Sequence, residues 1–126
     1  MADDEQFSIV GRLASFGYAF AGIAVLLREQ HNAWVHLLAT AVVVGAGILF
    51  HVSMTEWALL VLAITGVWVA EALNTAIELV CDVASPEYHP LVKKAKDVAA
   101  GAVLLSATGA AAIAALVFLP YFVGNP

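Results

Sequence analysis

The sequence predicts an all-α integral membrane protein: three transmembrane helices plus an N-terminal amphipathic surface helix. Three observations predict it. Of 126 residues, 63% are hydrophobic and only 12% charged, and the mean hydropathy is +0.93, far outside the range of soluble globular domains. Three segments each supply roughly the 20 mainly apolar residues that a bilayer-crossing helix needs. All five basic residues, Arg12, Arg28, Lys93, Lys94 and Lys96, fall in the N-terminal segment or in one loop, the one-sided pattern that sets membrane orientation. The length fits a single domain over residues 1–126. A net charge of −5 without a basic run argues against nucleic acid as a partner. The one cysteine, Cys81, forms no intrachain disulfide and no cysteine metal cluster. The N-terminal MADDEQ lacks the basic start of a signal peptide, so the apolar segments are expected to be retained.

The first element covers residues 7–28, FSIVGRLASFGYAFAGIAVLLR. Arg12 near its start and the small residues Gly11, Ser15, Gly17 and Gly22 favour a helix lying in the membrane interface over a fourth span. The first span is expected at Ala33–Val52, the second at 57–81 after a short 51–56 turn, and the third at Val98–Leu119, ending at Pro120. The many Ala, Gly and Ser residues of the third suit close approach between membrane helices. Between the second and third spans lies a polar loop, 83–97, containing SPEYHPLVKKAKDV; Pro86 and Pro90 oppose a continuous helix across it. With three spans, the basic residues put the N-terminus and the 83–97 loop in the cytoplasm, whereas four spans would divide them between both faces.

The second span sets acids into membrane-grade sequence: Glu71, Asn74, Glu78 and Asp82 in EALNTAIELVCD. At 100° per residue these four lie within about 80° of one another and rise about 16 Å along the helix. Glu71 is deepest and Asp82 is nearest the cytoplasmic surface. An ionisable group inside a bilayer costs about 2–3 kcal/mol or more, so such residues are functional candidates. Their carboxylates suit a hard divalent cation such as Mg²⁺ or general-base chemistry. The plain alternative is helix-end hydrogen bonding or an ion pair with a lysine, strongest for Asp82.

A second feature, KKAKDVAAGA at 93–102, opens the third span. There Lys96 and Asp97 stand where free amides of a helix N-terminus would face an anion; Lys93 and Lys94 read as interfacial anchors. No phosphate-binding glycine loop of either common type is present. His31, His36, His51 and His89 lack metal-site spacing and read as packing or interfacial residues. Trp34, Trp57 and Trp68, with Tyr18, Tyr88 and Tyr121, suit aromatic belts. From the residues alone two functions stand level. One is phosphoryl transfer to a lipid hydroxyl, with Mg²⁺ on glutamates and Lys96 on phosphate; the other is an oligomeric proton-coupled transporter using the glutamates as relay.

The pair EALNTAIELVCD and SPEYHPLVKKAKDVAAGAVLL resembles the prokaryotic diacylglycerol kinase family, which includes the undecaprenol kinases. The family's pattern, E-x-x-N-S/T-A-I-E-x-x-x-D followed by A-K-D and a small-residue run, is matched throughout, and weaker agreement extends to SFGYAFAGI at 15–23. The resemblance implies a homotrimer in the bacterial inner membrane, with active sites shared between subunits, that transfers the γ-phosphoryl of ATP with Mg²⁺ to a membrane lipid alcohol. It implies Glu71 as catalytic base, Glu78 as a metal ligand, and Asn74, Lys96 and Asp97 around the nucleotide phosphates, with Tyr18 as an aromatic near the nucleotide. The family's usual E-x-N glutamate before the first span falls on Gln30, in a register fixed by Asn32 and His36. Gln30 is therefore the second metal position, with a neutral amide, and Glu29 is its acidic neighbour. Ala24 and Trp34 also stand where an arginine is common. These departures open a third reading, a nucleotide-binding relative with weakened catalysis. The loop wording looks more like the undecaprenol-kinase side of the family than the diacylglycerol side.

Overall fold

The computed structural model describes residues 8–124. They form four helices in the order α1 (Ile9–Glu29), α2 (His31–Leu49), α3 (Met54–Ala84) and α4 (Pro90–Val123). All four are long and apolar enough to cross a membrane. α1, expected as an amphipathic helix, matches α2 in mean hydropathy at 1.7. It starts at Ser8, whose hydroxyl accepts from the Gly11 amide, and it buries only Leu26. α1 and α2 are separated by the single residue Gln30, extended at φ −108° and ψ 116°. It closes one helix and opens the next.

α2 ends more tightly than the sequence suggests, and the expected 51–56 turn is really residues 50–53. His51 takes the left-handed conformation, φ 53°. Its amide bonds the Ile48 carbonyl and the Val52 amide bonds that of Gly47, the paired closure that satisfies a helix's last carbonyls. Ser53 then opens α3 with a reciprocal cap: its hydroxyl accepts from the Glu56 amide, and the Glu56 carboxylate accepts from the Ser53 amide at 2.7 Å. The short turn forces α2 and α3 to run antiparallel in close contact. A Cβ on Gly47 would lie 2.6 Å from the Trp57 ring, so glycine is what lets the indole seat against α2.

α3 and α4 form a long antiparallel hairpin. With 31 and 34 residues they extend about 46 and 51 Å, well beyond the ~30 Å of hydrocarbon, so their ends stand outside the membrane-crossing segments expected at 57–81 and 98–119. Two expectations about α4 are corrected. The polar loop shrinks to residues 85–89, because Pro90 starts α4 as its first residue, where a missing N–H costs nothing, and the His89 side chain caps it at the Leu91 amide. At the far end α4 runs through Pro120 to Val123 and stops at Gly124, φ 69°. Placed in the last turn, Pro120 forfeits a single helix bond.

A buried apolar cluster lies at the α2–α3 turn, where Val52, Leu60 and Val117 are buried against Phe50, Trp57, Phe118 and Tyr121. Phe50 meets the rings of Phe118, Tyr121 and Phe122 at 5.1–6.1 Å. Tyr121 donates its hydroxyl to Glu56 at 2.7 Å, joining the end of α4 to the start of α3. Trp57 and Tyr121, expected in membrane belts, both take part in this packing.

Candidate active site

The acidic face of α3 points inward at Glu71 and outward at Asp82. Glu71 is fully buried, Asn74 and Thr75 are buried, Glu78 is half-buried and Asp82 is exposed. The order of depth follows the spacing, since one helix face climbs from the bundle interior to its end. Leu73 and Leu79, on other sides of α3, are exposed.

Glu71, Asn74 and Glu78 meet Asn32 and His36 of α2 around one cavity of about 330 Å³, whose α4 wall is apolar and includes Ala100, Val103 and Ala107. The Asn74 side-chain amide nitrogen donates to Glu78 at 3.3 Å, and the Asn74 oxygen has no partner. One Glu71 oxygen lies 3.2 Å from His36 Nε2 and the other has no partner. His36 is held from α2's own backbone outward. Thr40 donates to the His36 carbonyl at 2.7 Å and accepts from the Trp68 indole at 3.0 Å, and Trp68 meets the imidazole edge-on, centroids 6.2 Å apart. His36, expected as a packing or interfacial residue, thus also contacts the buried acid, and Trp68, expected in a belt, is part of the link. A second, apolar cavity of about 180 Å³ shares His36 and Ala107 with the polar one and continues along the alanines of α4.

The remaining candidates lie elsewhere on the single chain. Lys96 donates to Asp82 at 2.5 Å, an ion pair between α4 and α3; this hydrogen bond, opposed by partial burial, raises the lysine's pKa above its ordinary 10.5. Asp97 accepts from Lys93 on the exposed side of α4. Lys96 and Asp97 sit in the second turn of α4, not at its N-terminus. The amides near them belong to the helix ladder, so the expected helix-end anion site is not at these residues. Tyr18 is exposed on α1, Glu29 is exposed at its end, and Gln30 is half-buried in the break; none of the three lines the Glu71 cavity. Among the described residues no three His, Cys, Asp or Glu side chains are grouped to hold a metal. The unpartnered Asn74 oxygen and the Glu78 carboxylate are nevertheless hard donors of the kind Mg²⁺ accepts, and that ion keeps several waters and substrate phosphates as ligands. The donor set fits as part of such a site.

Known proteins resemble the chain over the same regions. The profile of the family described as prokaryotic diacylglycerol kinase matches residues 17–118. An undecaprenol kinase of Bacillus subtilis is 42% identical over 106 residues, covering 84% of this chain and 86% of its own. A diacylglycerol kinase of Synechocystis is 40% identical over 109 residues, 86% of this chain but 62% of the longer relative. One from Pseudomonas aeruginosa is 33% identical over 96 residues, 76% of this chain and 78% of its own. The match runs through the buried acid on α3, the A-K-D turn of α4 and the helices that carry them: the chain belongs to the prokaryotic diacylglycerol kinase family.

Proposed function

We propose that this protein is a membrane lipid kinase that transfers the γ-phosphoryl of MgATP to the hydroxyl of undecaprenol or diacylglycerol. The observation that carries this reading is the fully buried Glu71, one carboxylate oxygen without a partner, lining a cavity with Asn74 and Glu78 in a chain of this family. Glu71 is the general base: the acceptor's O–H bond breaks, the proton passes to the carboxylate, the alcohol oxygen bonds phosphorus, and ADP leaves with the electrons of the broken P–O bond. The apolar cavity that meets this one at His36 and Ala107 gives a lipid alcohol an approach from the hydrocarbon side.

Asn74, Lys96 and Asp97 face the nucleotide phosphates, with Tyr18 beside the nucleotide. Lys96 exchanges Asp82 for phosphate when ATP binds. Glu78, with Gln30, would hold Mg²⁺, which would neutralise charge on the phosphates; Glu29 and Asp82 flank the site. These residues are spread over α1, α3 and α4 of one chain, and a homotrimer that shares its sites between neighbours accounts for the separation. The chain acts as one domain, residues 1–126, in the bacterial inner membrane. The distribution of basic residues supports α2, α3 and α4 as the spans, α1 on the surface, and the N-terminus and the α3–α4 connection in the cytoplasm.

The test is an assay of the purified protein in lipid micelles with radiolabelled ATP, across Mg²⁺ concentrations, against undecaprenol and diacylglycerol. Phosphorylation of one or both is expected. No labelled lipid from any lipid alcohol would overturn the reading.

A further inference from the structure

We infer that His36 is a positioning residue for Glu71: its imidazole holds Oε2 and so reserves Oε1 as the atom that receives the acceptor's proton. The inference rests on the kinase reading above. A carboxylate's two oxygens are equivalent until their surroundings distinguish them. Here Oε2 lies 3.2 Å from His36 Nε2, whereas Oε1 is buried without a partner, in a residue that lines the cavity. The α4 side of that cavity presents Ala100, Val103 and Ala107, which offer no side-chain donor to compete for either oxygen.

The imidazole is itself placed by its neighbours. Thr40 joins the His36 carbonyl to the Trp68 indole across α2 and α3. Trp68 is three residues before Glu71 on the same helix, so the chain of hydrogen bonds leaves α3 one turn from the carboxylate and returns to it through the imidazole. The His36 side chain is 14% exposed, which leaves water little access to the contact. Nε2 donates in the Nε2–H neutral tautomer and in the cation alike. After Oε1 has taken the acceptor's proton, Oε2 of the neutral acid still accepts from Nε2–H. The contact thus survives the step and fixes the base before and after it. Nothing in the reaction is transferred to His36.

The experiment compares initial rates of the full-length protein and its His36 variants with MgATP and the acceptor the native protein uses. His36→Ala is expected to lower kcat about 100-fold while the KM for ATP stays within about twofold, because the loss falls on the reacting centre. His36→Gln, whose amide reaches as far as Nε2, is expected to recover most of the rate; His36→Asn, which reaches only the level of Nδ1, is not. Added imidazole should raise the rate of the Ala variant saturably. As a readout independent of turnover, the infrared carboxylate band assigned by Glu71→Gln should shift in His36→Ala and return in His36→Gln. An Ala variant with native kcat would overturn the proposal. So would equal losses in Ala, Gln and Asn with no imidazole rescue, the mark of packing alone. An inactive native protein would overturn the kinase reading instead, and the infrared comparison would still decide whether His36 holds Glu71.

Discussion

Glu71 and Gln30 mark the two ends of what a single residue can reveal in this protein. Glu71→Gln keeps size, burial and an oxygen for the His36 contact but removes the base. It is expected to cut turnover by about 10²–10⁴-fold with the thermal unfolding profile retained, and undiminished activity in the lipid assay would remove Glu71 from the role. Gln30→Glu restores a charge at the break between α1 and α2, and a lower Mg²⁺ requirement is expected; an unchanged Mg²⁺ titration would show that Gln30 stands apart from the metal. Glu71, Asn74 and Glu78 were legible in sequence because they share one helix, and helical period alone fixes their common face. His36 was not. Its contact with Glu71 depends on the register of α2 against α3, and that register is set by a left-handed His51 and by the seating of Trp57 on Gly47, neither of which leaves a periodic trace. The only signal was positional, His36 four residues after Asn32, and both residues line the cavity.

The helices themselves were legible from apolar length, but their ends were not, because end residues act through local geometry. Pro90 reads as a breaker and serves as a starter; Pro120 reads as a stop and sits inside the last turn. The α2–α3 turn offers two opposed tests. His51→Gly relieves a left-handed backbone in a residue with a Cβ and should stabilise by about 1 kcal/mol, read as a higher Tm. Gly47→Ala drives a methyl into the Trp57 ring and should destabilise by about 1–3 kcal/mol, read as a lower one. The Glu56–Tyr121 contact lies outside the spans expected at 57–81 and 98–119 and gives a pH signature. The Tyr121 hydroxyl, then the Ser53 amide, hold the Glu56 carboxyl below its ordinary 4.5, and Glu56 holds the Tyr121 phenol above its ordinary 10.0. A lowered acid contributes stability above its unfolded pKa and loses it as pH falls through the folded one; a raised phenol contributes below its unfolded pKa and loses it as pH rises through the folded one. The stability difference between native protein and Tyr121→Phe should therefore be constant between those two values and shrink below pH 4.5 and above pH 10. A difference that varies across the neutral range would contradict the assignment.

At the scale of the whole molecule, much of the bundle is left uncovered: large apolar residues from Leu73 and Val80 on α3 to Leu104, Leu105 and Leu116 on α4 are exposed in the single chain. The proposed trimer predicts a mass of three subunits by native mass spectrometry in detergent, and a protein active as an isolated monomer would contradict the shared site. The polar cavity and the aromatic cluster lie apart along the bundle: Glu71 lies eleven residues from Leu60 on α3, about 16 Å along the helix axis. This division has a consequence for how the protein can change. Durability and chemistry draw on different residues, so selection can adjust one without disturbing the other. A library varied at Phe50, Phe118 and Phe122 should give proteins graded in their lifetime in a warm membrane yet uniform in kcat, the pattern of an enzyme free to follow its host to a new temperature without relearning its reaction.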